Sequence, residues 1–296
     1  MHFPISGVET YWWLPIAVMF VISTLTSMGG VSGAFLLLPF QISVLGFTSP
    51  AVSPTNMIYN IVAIPSGVLR YYREKRIVWP LVITMAIAYL PGIFIGAIIR
   101  IKYLPDPGTF KLFAGLVLLY IGVRLGKDIF RKESKNPSLK KGDFEITDPY
   151  INLKKLGYVF NGESYTASTL TIGGLSLLVG VVGGIYGIGG GAIMAPLLVA
   201  MFRLPVHTIA GAALLGTFIS SVAGAIIYTV ISPYFSASGL SISPDWLLGF
   251  MFGIGGAAGM YTGARLQRYI PARAIKVLLT CVLLFVSGKY VLGFFL

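Results

Sequence analysis

Charge is what this chain has least of. Only 11% of its 296 residues are Asp, Glu, Lys or Arg, against about a quarter in a soluble domain. Acids are the scarcer sign, ten against 22 basic residues. That shortage excludes a soluble globule, which has to cover its surface with charge. Cysteine is nearly missing too. The lone Cys281 stands in the apolar run from Val277 to Val286, which rules out an intrachain disulfide or a CxxC metal site and reads as a small buried hydrophobe. The first nine residues lack the positive n-region of a signal peptide and the apolar stretch after them outruns one, so the N-terminus reads as retained. Catalytic motifs are also wanting. There is no HExxH, no GxSxG with triad partners, and no phosphate loop, because Gly187-Ile-Gly-Gly-Gly191 is not followed by Lys-Ser/Thr. Nothing in the sequence asks for an enzyme, a cofactor or a metal.

What fills the chain is hydrophobic, 56% of residues with a mean hydropathy of +0.84. Its 17 prolines and 36 glycines sit inside apolar stretches and not in polar tracts, so disorder fails as a reading and a membrane protein remains. A bilayer core about 30 Å thick asks for about 20 apolar residues per helix. Segments 51–70, 77–99 and 109–126 qualify in the first half, and 207–230, 244–264 and 272–294 in the second. Each half also opens on a longer apolar stretch, 11–46 and 168–202, broken by Met28-Gly-Gly-Val-Ser-Gly33 and by Tyr186-Gly-Ile-Gly-Gly-Gly191. Such stretches are too long for one straight span and short for two.

The halves are copies. A shift of 157 lays Gly30–Pro39 on Gly187–Pro196 without a gap, and carries Ser66-Gly67 onto Ala223-Gly224 and Tyr71 onto Tyr228. A slightly larger shift brings Gly92 and Gly96 onto Gly259 and Gly263. An ordered series of this kind marks a duplication. The expected organisation is a first transmembrane repeat over 1–126, a polar cytoplasmic loop over 127–166 and a second repeat over 167–296.

Basic residues set the orientation. If each broken stretch leaves and returns on one side, 18 of the 22 basic residues gather inside, at 70–76, 124–155, Arg203 and 265–276; if each is one crossing, only 14 do. The first arrangement gives every repeat an odd number of crossings, so the second copy runs upside down. The expected fold is therefore an all-α polytopic membrane protein of two inverted repeats, each a broken or re-entrant helical hairpin plus three transmembrane helices, as in secondary transporters.

In that architecture the substrate lies near the midplane at interrupted helices. Helices starting near Gly33 and Gly191 would aim free N–H groups and a partial positive charge inward, and the glycines let the backbone approach an anion. The candidate substrate-binding set is Gly29, Gly30, Ser32, Gly33, Gly187, Gly189, Gly190 and Gly191. To these the following helices add Asn56 and Asn60, on a stripe with Ser53, and Thr217, near Ser220. The same polar groups would also serve helix-to-helix hydrogen bonding, and the sequence leaves both uses open. Gly92/Gly96 and Gly259/Gly263 read as packing contacts. All ten acids fall in loops or at span ends, so no carboxylate proton relay or cation site is expected, and an anion suits the interior best. His207, at a span mouth, is the candidate coupling residue.

The stretch Gly187–Pro196 with downstream Pro205-Val-His207, its weaker copy Gly29–Pro39 and the duplicated hydropathy resemble the sulfite exporter TauE/SafE family of membrane permeases, over nearly the whole chain. The resemblance implies transport of small sulfur-containing anions such as sulfite, sulfonates, sulfoacetate or thiosulfate across a prokaryotic cytoplasmic membrane. A passive anion channel and a transporter of small organic carboxylates are the alternatives. The partners implied are a small anionic substrate and the lipid bilayer, with no nucleic acid; a homodimer stays open.

Overall fold

The structure is a computed structural model and describes residues 1–28, 32–130, 146–266 and 272–295. A short N-terminal hairpin, β1 (His2–Phe3) and β2 (Val8–Glu9), precedes α1 (Trp13–Met28), α2 (Ala34–Ser43), α3 (Val52–Arg73), α4 (Trp79–Lys102) and α5 (Pro107–Phe130). Three strands follow, β3 (Ile146–Ile151), β4 (Lys155–Phe160) and β5 (Glu163–Ser168). The second half holds α6 (Thr169–Tyr186), α7 (Gly191–Phe202), α8 (Val206–Ile231), α9 (Trp246–Leu266) and α10 (Ala272–Phe295). Helices dominate because a backbone inside lipid has to satisfy its own N–H and C=O groups.

Stretches within or around α4, α5, α6, α8 and α10 are long and apolar enough to cross a bilayer. The two other expected spans, α3 and α9, have 22 and 21 residues, enough for about 30 Å at 1.5 Å per residue. α3 is the less apolar of the two because protein covers much of it. Every residue from Ala51 to Asn60 is buried, so α3 carries polar side chains at no cost to lipid contact.

The main helix pairings are unchanged when the halves are exchanged. α1 packs on α9 as α6 packs on α4; α3 packs on α9 as α8 packs on α4; α3 meets α8, and α5 meets α10. The last two pairs run antiparallel. Met57 of α3 lies beside Gly224 of α8 while Leu214 lies beside Gly67, and along α5 Gly115 lies beside Tyr290 while Gly126 lies beside Thr280.

The pair α4/α6 shows what the glycines do. A methyl placed on Gly92 would stand 3.0 Å from Gly180 Cα, and one on Gly96 3.0 Å from Gly184 Cα, so only hydrogen fits on either side. Gly259 and Gly263 do the same for α9 against Phe20 and Thr24 of α1.

One expectation needs correction. Cys281 is exposed, not buried. It lies on the outward side of α10 among exposed Val277, Leu278, Val282 and Phe285, a surface where lipid accepts a thiol as readily as a packed core would. The polar segment between the halves carries regular structure in its described residues. α5 continues to Phe130, and β3–β4–β5 form an antiparallel sheet in which Phe160 pairs with Glu163 across Asn161-Gly162, both at positive φ, the preferred chemistry of a two-residue hairpin. Leu156, Tyr158 and Phe160 alternate onto the buried face. The Tyr158 hydroxyl meets Thr208 Oγ1 at 2.6 Å, fastening the sheet to the start of α8. Burial pushes the Tyr158 phenol up to about 12 despite the Thr208 hydrogen bond, so it stays neutral at any physiological pH.

A bulky residue at the α4/α6 contact is expected to force the helices apart. Gly184→Leu should destabilise the protein by at least about 2 kcal/mol through overpacking, whereas Gly174→Leu, where an added Cβ meets nothing within 4 Å, should leave the thermal midpoint in detergent nearly unchanged.

Candidate functional site

The second break is made by a chain reversal that only glycine accommodates. α6 is capped by Gly187, whose N–H bonds Gly183 O at 2.8 Å and whose φ is +85°; Gly189 follows at +68°, both in the left-handed region open to glycine. α7 then starts at Gly191. Side chains could not be added here. A Cβ would run into Ser53 O at Gly187, the Tyr89 ring at Gly190, and Thr217 Oγ1 at Gly191. Residues 183–191 are all buried.

The first break follows a related plan. Gly33 precedes α2, close enough to Tyr59 that a Cβ there would stand 2.8 Å from its hydroxyl. Ser32 Oγ accepts the Ala34 N–H at 3.3 Å, and the Tyr59 hydroxyl meets Ser23 Oγ at 3.0 Å. Gly29 and Gly30 lie outside the described residues.

The two breaks meet. Pro39 has no N–H to offer the carbonyl one turn back, which frees Phe35 O; Tyr186, the last residue of α6, donates its hydroxyl to that oxygen at 3.0 Å. α3 reaches both breaks. Asn56 Nδ2 donates to Ala34 O at 3.1 Å, Ser53 Oγ to Ile185 O at 2.6 Å, and Asn60 Nδ2 to Gly187 O at 3.4 Å and to Ser221 Oγ at 3.2 Å. From α8, Thr217 Oγ1 accepts the Gly191 N–H at 2.8 Å and donates to Ala213 O at 2.9 Å. Asn60 and Thr217 are equivalent under the 157-residue shift.

What remains unsatisfied is as informative. The N–H groups of Phe35 and Ala192, equivalent positions in the first turns of α2 and α7, find no partner among the described residues. Asn56 Oδ1 and Asn60 Oδ1 are likewise buried without one. Each helix start adds about half a positive charge. Thr217 stands eleven residues into the 26-residue α8, about 16 Å along its axis, which sets the second break near the middle of that helix.

Ser32, Gly33, Asn56, Asn60, Gly187, Gly189, Gly190, Gly191 and Thr217 thus flank two helix breaks that touch. His207 is not with them. It falls in the first turn of α8, about 15 Å along the axis from Thr217, and its side chain lies outside what the structure describes. Ser53, read from the sequence as part of the Asn56/Asn60 stripe, belongs to the centre, and so do Tyr186 and Ser221, which the sequence reading does not single out. Ser221 follows Thr217 by four residues, a same-face spacing that the sequence does carry; Tyr186 adjoins the break but its partner, a carbonyl stripped by a distant proline, leaves no local trace. Among the described residues no group of three or more His, Cys, Asp or Glu side chains is placed to hold a metal.

Apolar helices enclosing a centre of backbone amides, hydroxyls and neutral amides, with helices interrupted at its edge, are the construction of a polytopic membrane transporter. The family model for Sulfite exporter TauE/SafE matches residues 15–290, and the chain belongs to that family. It is similar to three proteins of Bacillus subtilis (strain 168). It is 22% identical to the probable membrane transporter protein YunE over 92% of this chain and 94% of that protein. It is 25% identical to the probable membrane transporter protein YjnA over 90% and 94%, and 30% identical to the probable membrane transporter protein YdhB over 39% and 42%. No solved structure matches. The protein is a membrane transporter and not an enzyme.

Thr217→Val should strand the Gly191 N–H in a buried place. The expected cost is about 1–3 kcal/mol, read as a lower thermal midpoint, with faster amide exchange at Gly191 than in the parent protein. Ser220→Ala, which removes only a back-bond to Thr217 O, should cost less.

Proposed function

We propose that the protein is a secondary transporter that carries a small sulfur-containing anion, of the sulfite, sulfonate, sulfoacetate or thiosulfate type, across the cell membrane by alternating access. One observation carries this reading: two interrupted helix pairs, one from each half, join at a single buried place through Tyr186 and Phe35, with α3 bonded to both. The family's description speaks for the sulfur oxyanion. So does the chemistry, because helix N-termini and neutral donors with no carboxylate nearby favour an anion.

The halves are read as inverted copies. Equivalent helices related by an axis along the membrane normal would run parallel, and the antiparallel packing of α3 on α8 and of α5 on α10 supports an axis lying in the membrane. The excess of basic residues in and around 70–76, 127–166 and 265–276 supports a cytoplasmic side for those loops.

In the conformation described the side-chain donors are spent on the protein itself. Binding an oxyanion exchanges long bonds, such as Asn60 to Gly187 O, for shorter charge-assisted ones, and the repeats rock about the exchanged contacts. Backbone amides read charge and oxygen geometry more than the group behind the sulfur, so related sulfonates are expected to compete.

Purified protein in liposomes should take up labelled sulfite with saturation, and unlabelled sulfite on the far side should accelerate it. Asn56→Leu should cut the flux at least tenfold while the protein still folds. Flux linear in concentration and indifferent to the far side would make the protein a channel; normal flux in Asn56→Leu would remove α3 from the site.

A further inference from the structure

The centre just described leaves one charge unexplained. Arg100, in the last turn of α4, is fully buried, at the end of the helix away from the basic 70–76 turn. Its Nη1 donates to Leu104 O and its Nη2 to Ser49 O at 3.4 Å, and its guanidinium carbon lies 3.7 Å from the centroid of the Phe110 ring. Nε has no partner, nor has the buried Oγ of the same Ser49. Among the described residues no carboxylate lies within ion-pair distance of it.

Two carbonyls and a ring face neutralise a buried guanidinium only in part, and an intramembrane cation left in that state is costly to keep. What the cluster lacks is an acceptor. From Arg100 the polar groups continue inward. Gly96, one turn before Arg100 on α4, packs against Gly184 and Ile185, and Tyr228 of α8 reaches the same stretch. Its hydroxyl donates to Gly184 O at 2.8 Å, while Ser53 Oγ donates to Ile185 O at 2.6 Å. Gly184 and Ile185 are the residues leading into the Gly187 break.

We propose that Arg100 is an anion-binding residue of the transport route, taking the substrate's oxyanion at its guanidinium edge and Ser49 Oγ and passing it along Tyr228 to the Gly187 break. The inference rests on the anion-transport reading. A planar fork suits two oxygens of a sulfite, sulfonate or carboxylate group, and the Phe110 face fixes its plane. The other use of Arg100 would be purely mechanical, clamping the turn at Ser49 to the α4–α5 corner.

Thermal unfolding of the purified full-length protein, titrated with sulfite and with sulfoacetate, separates these uses. Wild type should be stabilised saturably, Arg100→Met should raise the half-saturating concentration at least tenfold, and Arg100→Lys should fall between them, keeping charge without the fork. A wild type that responds to neither anion overturns the transport reading and this inference with it. A wild type and an Arg100→Met variant with the same half-saturation overturn the Arg100 inference alone; a clamp would lower the anion-free midpoint and leave half-saturation unmoved. Should Arg100→Met not fold, wild type in liposomes is treated with phenylglyoxal: sulfite should slow modification of Arg100 several-fold, and equal rates, or no modification in either case, overturn the inference.

Discussion

A helix that stops inside a membrane leaves backbone groups with no water to take them, and each unmet one is expensive. Both halves of this protein contain such a stop, and much of the interior follows from it. α3 is polar on the face that Ser53, Asn56 and Asn60 occupy because carbonyls at two different breaks need donors there. Thr217 and Tyr186 answer the same demand from α8 and α6. The polar residues of the core are therefore set by backbone, and the backbone can be this close because glycine stands at 187, 189, 190 and 191.

Close approach recurs on a larger scale. α4 meets α6, and α9 meets α1, through glycines that bring main chain against main chain. Without a hydrophobic drive between helices in lipid, such contacts rely on dispersion and on surfaces that interlock. They form two stiff pairs, one on each side of α3 and α8, which carry the polar residues between them.

Much of this was legible in the sequence. Glycine runs aligned at a fixed shift, each followed by Pro39 or Pro196, announce paired breaks, and neighbouring Ser, Asn and Thr at helical spacing announce the helices that serve them. The sheet at 146–168 was not read, although Asn161-Gly162 between alternating apolar residues is a hairpin signal; it was masked by the polarity of the loop around it. Arg100 was indistinguishable from an interface anchor, since nothing local reports that Phe110 and the Ser49 turn fold over it. The exposure of Cys281 was hidden for a related reason: in a membrane protein an apolar run names the outside as readily as the core.

The lining of the two breaks is not matched as well as their frame. Where the second has Gly189 and Gly191, the first has Ser32 and Ala34; where α3 has Asn60, α8 has Thr217. The main pairings survive exchange of the halves, so what distinguishes one break from the other is the chemistry of its lining. The second break therefore presents bare backbone at two places where the first presents a hydroxyl and a methyl.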